Sequence, residues 1–187
     1  MLIEGQACLA DWSHHFSLLI AGNPVALGTI DLQLKQGEAM AITLNHGKYE
    51  DDLFKDAQFV RTKVFMEEQG YEDEFDEVDY TCIHVVAYDG LIPVGCARVF
   101  VDDNDKDTYV IGRVAVLSKA RKKGIGRLLV KECEGVAAES NVKKIILHAQ
   151  ARLEPWYGSM GYERFGEVDY EDEGQPHVWM EQIFKNF

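Results

Sequence analysis

The chain has 187 residues, with 19 Lys and Arg against 32 Asp and Glu, and its formal net charge is −13. With 47% hydrophobic residues, a chain of this length can bury its own core, so the sequence indicates one globular domain and excludes a disordered chain. The acidity argues against binding to nucleic acid or to an anionic membrane, because both need an excess of Lys and Arg.

Cysteine and histidine spacing predicts no metal site. Cys8, Cys82, Cys96 and Cys133 stand singly, without C-x-x-C, and no H-x-x-x-H occurs. Single cysteines are typical of small buried side chains in a reducing compartment. No apolar run reaches the ~18 residues of a membrane helix. No Lys or Arg precedes Lys35, so the basic N-terminal region of a signal peptide is missing. We therefore expect a cytoplasmic protein.

Residues 1–38 are apolar and weakly charged, and a Gly22-Asn23-Pro24 turn separates two apolar runs. This N-terminal extension can be a β-hairpin, a loosely ordered tail or an overlong start with Met40 as the natural beginning, and the sequence leaves these alternatives open. We expect the main domain over 39–187.

In the first part of this domain, the residue pattern predicts a short strand at 41–45 and then a helix that ends at Gly70. The helix has apolar residues at helical spacing at Leu53, Ala57, Val60 and Val64. An acidic stretch follows at 67–79, with eight acids and no base, and is predicted as a loop or short helix. Strand-like runs at 83–88 and 93–101 flank Asp89-Gly90, which is a hairpin signal.

A third apolar run at 109–117 predicts another strand, and a helix follows over about 124–140. The apolar face predicted for this helix contains Ile125, Leu128, Leu129, Val136 and Ala137. The rest of the chain predicts a strand at 144–150, a short helix at 154–160 and two final strands at 162–168 and 177–184.

The loop between the third strand and the long helix carries the chemical signal, R-x-x-G-x-G at Arg121, Gly124 and Gly126. Amides at a helix start are unpaired and lie at the positive end of the helix dipole, and glycines allow a ligand to approach the backbone. Together they predict a phosphate-binding loop. Walker A is absent, and Leu129 replaces the last glycine of a Rossmann fingerprint. Residues 119–131 also contain six bases and no acid.

This loop after an apolar strand resembles the acetyl-CoA motif of the GCN5-related N-acetyltransferase (GNAT) superfamily. The later residues are similar as well: Leu147-His148-Ala149-Gln150 is followed by Trp156-Tyr157-x-x-x-Gly161-Tyr162. Three further segments resemble the ElaA/YjcF-like branch of this superfamily. They are Arg61-x-x-Val64-Phe65-x-x-Glu68-Gln69, His84-Val85-Val86-Ala87 and Gly174-x-Pro176-His177. The resemblance covers about residues 41–184.

The resemblance implies an α/β (α+β) domain with a mixed, mainly antiparallel sheet and helices on both faces. It implies an N-acetyltransferase that moves an acetyl group directly from acetyl-CoA, its co-substrate, to an amine, without a metal. The residues that would bind acetyl-CoA are Val114, Ala115, Val116, Arg121, Lys122, Lys123, Gly124, Ile125, Gly126 and Arg127. A backbone N–H at the end of the 109–117 strand would stabilise the oxyanion.

The candidate catalytic residues are Tyr157, whose role the resemblance implies, and Glu68. Tyr157 would protonate the departing thiolate, although its alternative role is a core aromatic. Glu68, Asp79 and His148 are candidate bases for the attacking amine, and none of the three stands out. His84 and His148 lie within apolar, strand-like runs, so we expect each to be a hydrogen-bonded histidine of the core. Arg98 and Arg113 lie inside strands, so we expect each to meet an acid.

The acid clusters are typical of solvated faces, and they also fit a rim that attracts a cationic acceptor. The acceptor would be a small-molecule or protein amine, bound by loops around 66–80 and 168–177, and the protein could form a homodimer. Two other functions stay open: a non-catalytic acyl-CoA-binding or sensor module, and a structural role in an assembly that uses residues 1–38.

Overall fold

The computed structural model describes residues 41–49, 52–140, 142–170 and 174–184. The expectations for residues 1–38, and for Cys8 among them, lie outside the described residues. The strands are β1 (Ile42–Gly47), β2 (Ile83–Asp89), β3 (Ile92–Val101), β4 (Thr108–Val116), β5 (Lys144–Gln150), β6 (Glu163–Asp169) and β7 (His177–Ile183). The α-helices are α1 (Leu53–Arg61), α2 (Ile125–Ala138) and α3 (Glu154–Gly158).

These strands form one sheet in the order β1-β2-β3-β4-β5-β7-β6. In the described part of the chain, β4 and β5 pair in parallel and every other neighbouring pair is antiparallel. The predicted fold class is therefore confirmed: the sheet is mixed and mainly antiparallel, with helices on both faces. No helix in the described ranges has both the length and the hydrophobicity needed to cross a membrane.

Helix α2 packs one apolar stripe against the sheet, with Ile125, Leu129 and Cys133 at most 1% exposed. This spacing is the one that burial of a single helix face requires. The prediction for Leu128 was wrong, because this side chain is 43% exposed. Position 128 is one residue from Leu129 and therefore points about 100° away from the buried stripe.

Helix α1 packs on the second apolar cluster, through Ala57 and Val60. The helical path continues to Glu68 as a π-helical segment, Thr62–Glu68, so the predicted single helix has two parts. Wider π turns are found preferentially at functional sites. Gly70 follows in a left-handed conformation with φ +83°, where a glycine is favoured.

Strands β4 and β5 separate part-way along their length. Their pairing ends at Ile111 and Leu147, although β4 continues to Val116 and β5 continues to Gln150. A β-bulge accompanies the separation, because Arg113 and Val114 both lie opposite Ala97 of β3. Arg113 is in the left-handed region, with φ 54°, which is uncommon for a side chain of this kind.

Candidate active site

A cleft of about 450 Å³ opens where β4 and β5 separate. The part of β4 beyond Ile111 pairs with β3 on one side, and its other edge faces this cleft. An open strand edge presents backbone donors and acceptors to an extended ligand. The lining includes β4 residues 111–116, β5 residues 147–150, Arg121, Tyr157, His177 and residues of the π segment and the loop after it.

The predicted phosphate-binding loop lies beside this cleft. A short 3-10 turn, Ser118–Ala120, leads into the loop, and Gly124 ends it with φ +80° directly before α2 begins at Ile125. Lys122 is also left-handed, with φ 65°. Among the described residues, the amides of residues 122–127 donate no backbone hydrogen bond, so the first turn of a 14-residue helix offers free N–H groups.

Gly126 is needed for packing. A Cβ atom built there would lie 3.2 Å from Cζ2 and 3.3 Å from Cη2 of Trp156. The glycine therefore lets α3 approach the start of α2 closely. Arg127 of α2 contacts the residue directly after α3, because its Nη2 donates to the Ser159 hydroxyl at 2.8 Å.

Arg121 connects the loop to both walls of the cleft. Its Nε donates to the carbonyl O of Val116 at 2.9 Å. Its two Nη atoms donate to the two carboxylate oxygens of Glu68 at 2.6 and 2.7 Å. The hydrogen bond and charge of Arg121 lower the pKa of Glu68. In this arrangement Glu68 is an ion-pair partner at the rim, with both oxygens engaged.

Tyr157 lies in α3 and is 6% exposed. Burial raises its pKa above the ordinary value for a tyrosine, so the phenol keeps its proton. No side chain or backbone group of the described residues hydrogen-bonds to its hydroxyl, although Tyr157 lines the cleft. Trp156 packs on it edge to face, with ring centroids 4.6 Å apart. A protonated, unpaired phenol at the cleft wall is able to donate a hydrogen bond.

A buried ionic network extends into the interior from Glu74 and Arg113, which line the cleft. Arg61 donates from Nε to Oε1 of Glu74 at 2.7 Å and from Nη1 to Oδ1 of Asp79 at 2.5 Å. Arg98 donates to the same Asp79 oxygen at 2.8 Å, and Arg113 forms an ion pair with Glu74 at 3.0 Å. The expectation that Arg98 and Arg113 meet acids is confirmed.

Asp79 belongs to the interior of this network and does not line the cleft. Burial alone would raise its pKa, but the hydrogen bonds and charges of Arg61 and Arg98 outweigh burial and lower it. A carboxylate that is held ionised by two guanidinium groups is a weak proton acceptor. This placement disfavours Asp79 as the base.

Asp79, Cys82 and His84 bring potential metal-ligand atoms within 4.8 Å of one another. The two arginines already occupy the Asp79 carboxylate, and burial raises the pKa of Cys82 to about 11. His84 Nε2 donates to the carbonyl O of Asp79 at 2.9 Å. Guanidinium charges and a protonated thiol do not suit a metal cation, so the trio fits a hydrogen-bonded core.

Side chains of β5 line the wall of the cleft that lies opposite β4. Gln150 Nε2 donates to Oε1 of Gln69 at 2.8 Å and to the Tyr71 hydroxyl at 3.1 Å. His148 lies 2.9 Å from Oδ2 of Asp169 and stacks on Trp179 with an interplanar angle of 15°. His148 therefore lies at the cleft wall, where its ring is held by Asp169 and Trp179.

Comparison with known proteins gives the family. Residues 50–184 match the acetyltransferase (GNAT) domain family. The chain belongs to the GNAT acetyltransferase family. It is 38% identical over 133 residues to the uncharacterized N-acetyltransferase YjcF of Bacillus subtilis, covering 70% of this chain and 92% of YjcF.

Solved structures agree with the GNAT fold. The crystal structure of Escherichia coli ElaA superposes with a TM-score of 0.69 and 27% identity, covering 76% of this chain and 99% of ElaA. Salmonella typhimurium yncA, solved with acetyl-CoA, superposes with a TM-score of 0.61 and 12% identity, covering 79% and 96%. The resemblance to the GNAT superfamily and to its ElaA/YjcF-like branch is thereby confirmed.

The GNAT site brings most of the predicted residues together. Val114, Ala115, Val116, Arg121, Tyr157 and Glu68 line the cleft, while Lys122, Lys123, Gly124, Ile125, Gly126 and Arg127 form the adjoining loop and helix start. Glu74 was not among the predicted site residues, because it is one of eight acids between residues 67 and 79 and no pattern distinguishes it from the others. The motif that begins at Arg61 was a partial signal for Glu74, because Arg61 is its buried hydrogen-bond partner.

Proposed function

We propose that this GNAT acetyltransferase is an acetyl-CoA-dependent N-acetyltransferase that transfers the acetyl group directly to an amine. The observation that carries the proposal is the open edge of β4 beyond Ile111, which leads to the free amides of residues 122–127. An extended thioester arm needs such a strand edge, and a pyrophosphate needs such a helix start.

The residues present fit acetyl-CoA. The amides of residues 122–127 would bind the pyrophosphate, with Lys122 and Lys123 beside them. The cleft-facing backbone of Val114, Ala115 and Val116 would pair with the pantetheine arm. Tyr157 lines the same cleft as these three residues, so a thioester bound there would share the cleft with the side chain that can protonate its sulfur.

Direct transfer needs no covalent acyl-enzyme. The amine attacks the thioester carbonyl, a backbone N–H near the end of β4 stabilises the oxyanion, and the C–S bond then breaks. The departing thiolate corresponds to a thiol with a pKa of about 8.5. Tyr157 keeps its proton through burial, so it can donate this proton as the thiolate forms, and solvent restores it.

We further propose a cationic acceptor, either a small-molecule amine or a protein amine. Glu68, Asp73 and Glu74 line the cleft, and the whole chain carries a net charge of −13. A negative rim raises the encounter rate of a cation, and added salt screens this attraction. The cytoplasmic location, the homodimer and any role of residues 1–38 stay predictions.

The proposal is tested by an acetyl-CoA consumption screen over polyamines, amino acids, aminoglycosides and peptides, with the acetylated product identified by mass spectrometry. We expect an amine-dependent release of CoA, and kcat/KM for the best amine that falls as salt rises at saturating acetyl-CoA. Binding of acetyl-CoA without turnover on any class would favour the acyl-CoA sensor instead. A kcat/KM that does not depend on salt would remove the acidic rim from the proposal.

A further inference from the structure

Glu74 occupies an unusual position for a carboxylate. Its side chain is 2% exposed, yet the residue lines the cleft. Its backbone carbonyl accepts from Nη2 of Arg61 at 2.6 Å, and Oε1 accepts from Nε of the same arginine. Both the main chain and one oxygen of Glu74 are therefore fixed by a buried side chain from α1.

The other oxygen, Oε2, accepts no hydrogen bond from the described residues. The buried side-chain polar atoms without a partner in this part of the chain are Arg98 Nε and Gln182 Oε1, and Oε2 of Glu74 is not one of them. Oε2 therefore keeps a small exposed area within a side chain that is 2% exposed, and the cavity that Glu74 lines is the cleft. Oε1 anchors the carboxylate, which leaves Oε2 as the oxygen available to a group in the cleft.

Glu74 also lies beside the β4 bulge. Arg113, the bulge residue with φ 54°, forms an ion pair with Oε1 at 3.0 Å. The bulge is where β4 leaves β5, and in the proposed function the thioester carbonyl binds along the part of β4 that follows. An accessible carboxylate oxygen fixed at this point is within reach of an amine that attacks that carbonyl, directly or through one water.

We propose that Glu74 is the proton acceptor for the attacking amine, an assignment that rests on the proposed function. The ammonium form of the acceptor gives one proton to Oε2 of Glu74. The free nitrogen lone pair then forms the C–N bond to the thioester carbonyl carbon, and the C–S bond breaks. The thiolate takes a proton from Tyr157, and Glu74 releases its proton to solvent. The amide nitrogen loses its second proton to solvent, and solvent returns one proton to the Tyr157 phenolate. The amide, the thiol and one proton are the products.

The other cleft acids are less suited to this role. Both oxygens of Glu68 are engaged by Arg121, and Asp73 is exposed to solvent. Burial raises the pKa of Glu74 by more than Arg113 and Arg61 lower it. A raised pKa brings a carboxylate closer to the operating pH, where a base is more effective.

Several charged groups surround Glu74 and influence its titration. They are Arg61 on α1, Arg98 on β3 and Arg113 on β4, together with Asp76 and Asp79 at a second 3-10 turn, Glu77–Tyr80. Asp73, Glu68, Arg121, Arg152, His148 and His177 line the same cleft. The pH profile must therefore be compared between variants and not read from the wild type alone.

The test compares Glu74→Gln with Asp103→Asn, an exposed acid that does not line the cleft, on an amine that the wild type acetylates. For an ordinary alkylamine at pH 7 we expect kcat/KM to fall about 100-fold in Glu74→Gln and less than about 3-fold in Asp103→Asn. For a fluorinated analogue of that amine, which is largely unprotonated at this pH, the loss in Glu74→Gln should be under about 5-fold. A variant that only distorts the site would slow both amines equally.

The pH profile gives a second readout. Wild-type kcat/KM should level off above the pKa of Glu74, whereas in Glu74→Gln it should follow the free-amine fraction up to the amine pKa of about 10. Where Glu74→Gln does not fold, Glu74→Asp keeps a carboxylate, and the pH at which its profile levels off should shift. The assignment would be overturned if Glu74→Gln had the rates and the pH profile of the wild type, or if the pH profile of Glu74→Asp were not shifted. The proposed function would still stand in either case. A wild type that binds acetyl-CoA but acetylates no amine overturns both.

Discussion

Arg121 and Glu68 are 53 positions apart in the sequence and form a two-pronged ion pair at the rim of the cleft, at 2.6 and 2.7 Å. The pair joins the phosphate loop to the π segment that follows α1. The same guanidinium holds the carbonyl O of Val116 through Nε. A pyrophosphate at the loop would compete with Glu68 for the two Nη atoms, because both ligands are oxyanions.

Changing Glu68 to Gln should therefore not weaken acetyl-CoA binding. Removal of the competing carboxylate frees Arg121 for phosphate, and we expect the Kd for CoA to stay equal or to fall about 2- to 5-fold at low salt. Isothermal titration calorimetry measures this. Glu67→Gln is the matched control, since Glu67 pairs with Lys63 on the same segment. A Kd that rises tenfold in Glu68→Gln would show that Glu68 supports cofactor binding.

Changing Tyr157 to Phe tests the general acid. The hydroxyl has no hydrogen-bond partner among the described residues, so its loss leaves no group unpaired, and we expect stability and CoA affinity to be unchanged. The rate of acetyl transfer should fall about 100-fold if Tyr157 protonates the thiolate. Steady-state kinetics and a CoA titration on the same variant check both parts.

Tyr162 provides the control for this experiment. Its hydroxyl donates to Oε1 of Glu134 at 3.2 Å in the core. Tyr162→Phe should lower the free energy of unfolding by about 1 kcal/mol and leave the rate of acetyl transfer nearly unchanged. If Tyr157→Phe behaves like Tyr162→Phe, with stability lost and turnover retained, Tyr157 is a core aromatic.

The sequence predicted the elements well where one segment determines its own structure. The runs at 83–88 and 144–150 became β2 and β5 with bounds that differ by one residue or none, because apolar β-branched runs favour buried strands. The loop of Arg121, Gly124 and Gly126 was found in the same way, since a strand, glycines and a helix start are adjacent in the chain.

The rest of the site depends on contacts that no local pattern specifies. The acidic stretch at 67–79 was expected to be mostly solvated, but Glu74 and Asp79 are 3% and 1% exposed because Arg61 and Arg98 reach them from α1 and β3. The bulge at Arg113 is likewise set by pairing with β3 and not by its own side chain. Such contacts form only when distant segments pack together.

The glycines of the phosphate loop should differ in why they are needed. Gly124→Ala places a Cβ in the left-handed conformation at φ +80°, and we expect a loss of about 1 kcal/mol in stability together with weaker CoA binding. Gly126→Ala should displace Trp156, since the new Cβ would lie 3.2 Å from its ring. A change in Trp fluorescence in Gly126→Ala, with none in Gly124→Ala, would separate the two causes.

Gly135 is the internal control for both glycine variants. It lies within α2, and a Cβ built there meets nothing within 4 Å. Gly135→Ala should raise the free energy of unfolding by about 0.5–1 kcal/mol, because alanine has the higher helix propensity. If Gly135→Ala were also destabilising, the losses at Gly124 and Gly126 could not be assigned to the left-handed conformation and to the contact with Trp156.

Asp79 should determine much of the stability and its acid dependence. Asp79→Asn leaves Arg61 and Arg98 buried without one of their carboxylates, and loss of one partner of such a pair costs about 3–5 kcal/mol. Urea unfolding at pH 7 measures this loss. Asp103→Asn is the control, because Asp103 is exposed, and it should change stability by less than about 0.5 kcal/mol.

The pH dependence of that loss follows from the lowered pKa of Asp79. A carboxyl with a folded pKa below its unfolded value of about 3.9 contributes its stability above that value, and the contribution is lost as the pH falls through the folded pKa. The difference in unfolding free energy between wild type and Asp79→Asn should therefore be constant from pH 7 to about pH 5 and shrink below about pH 4. A difference that stays constant down to about pH 2 would mean that packing around residue 79, and not its charge, stabilises the network.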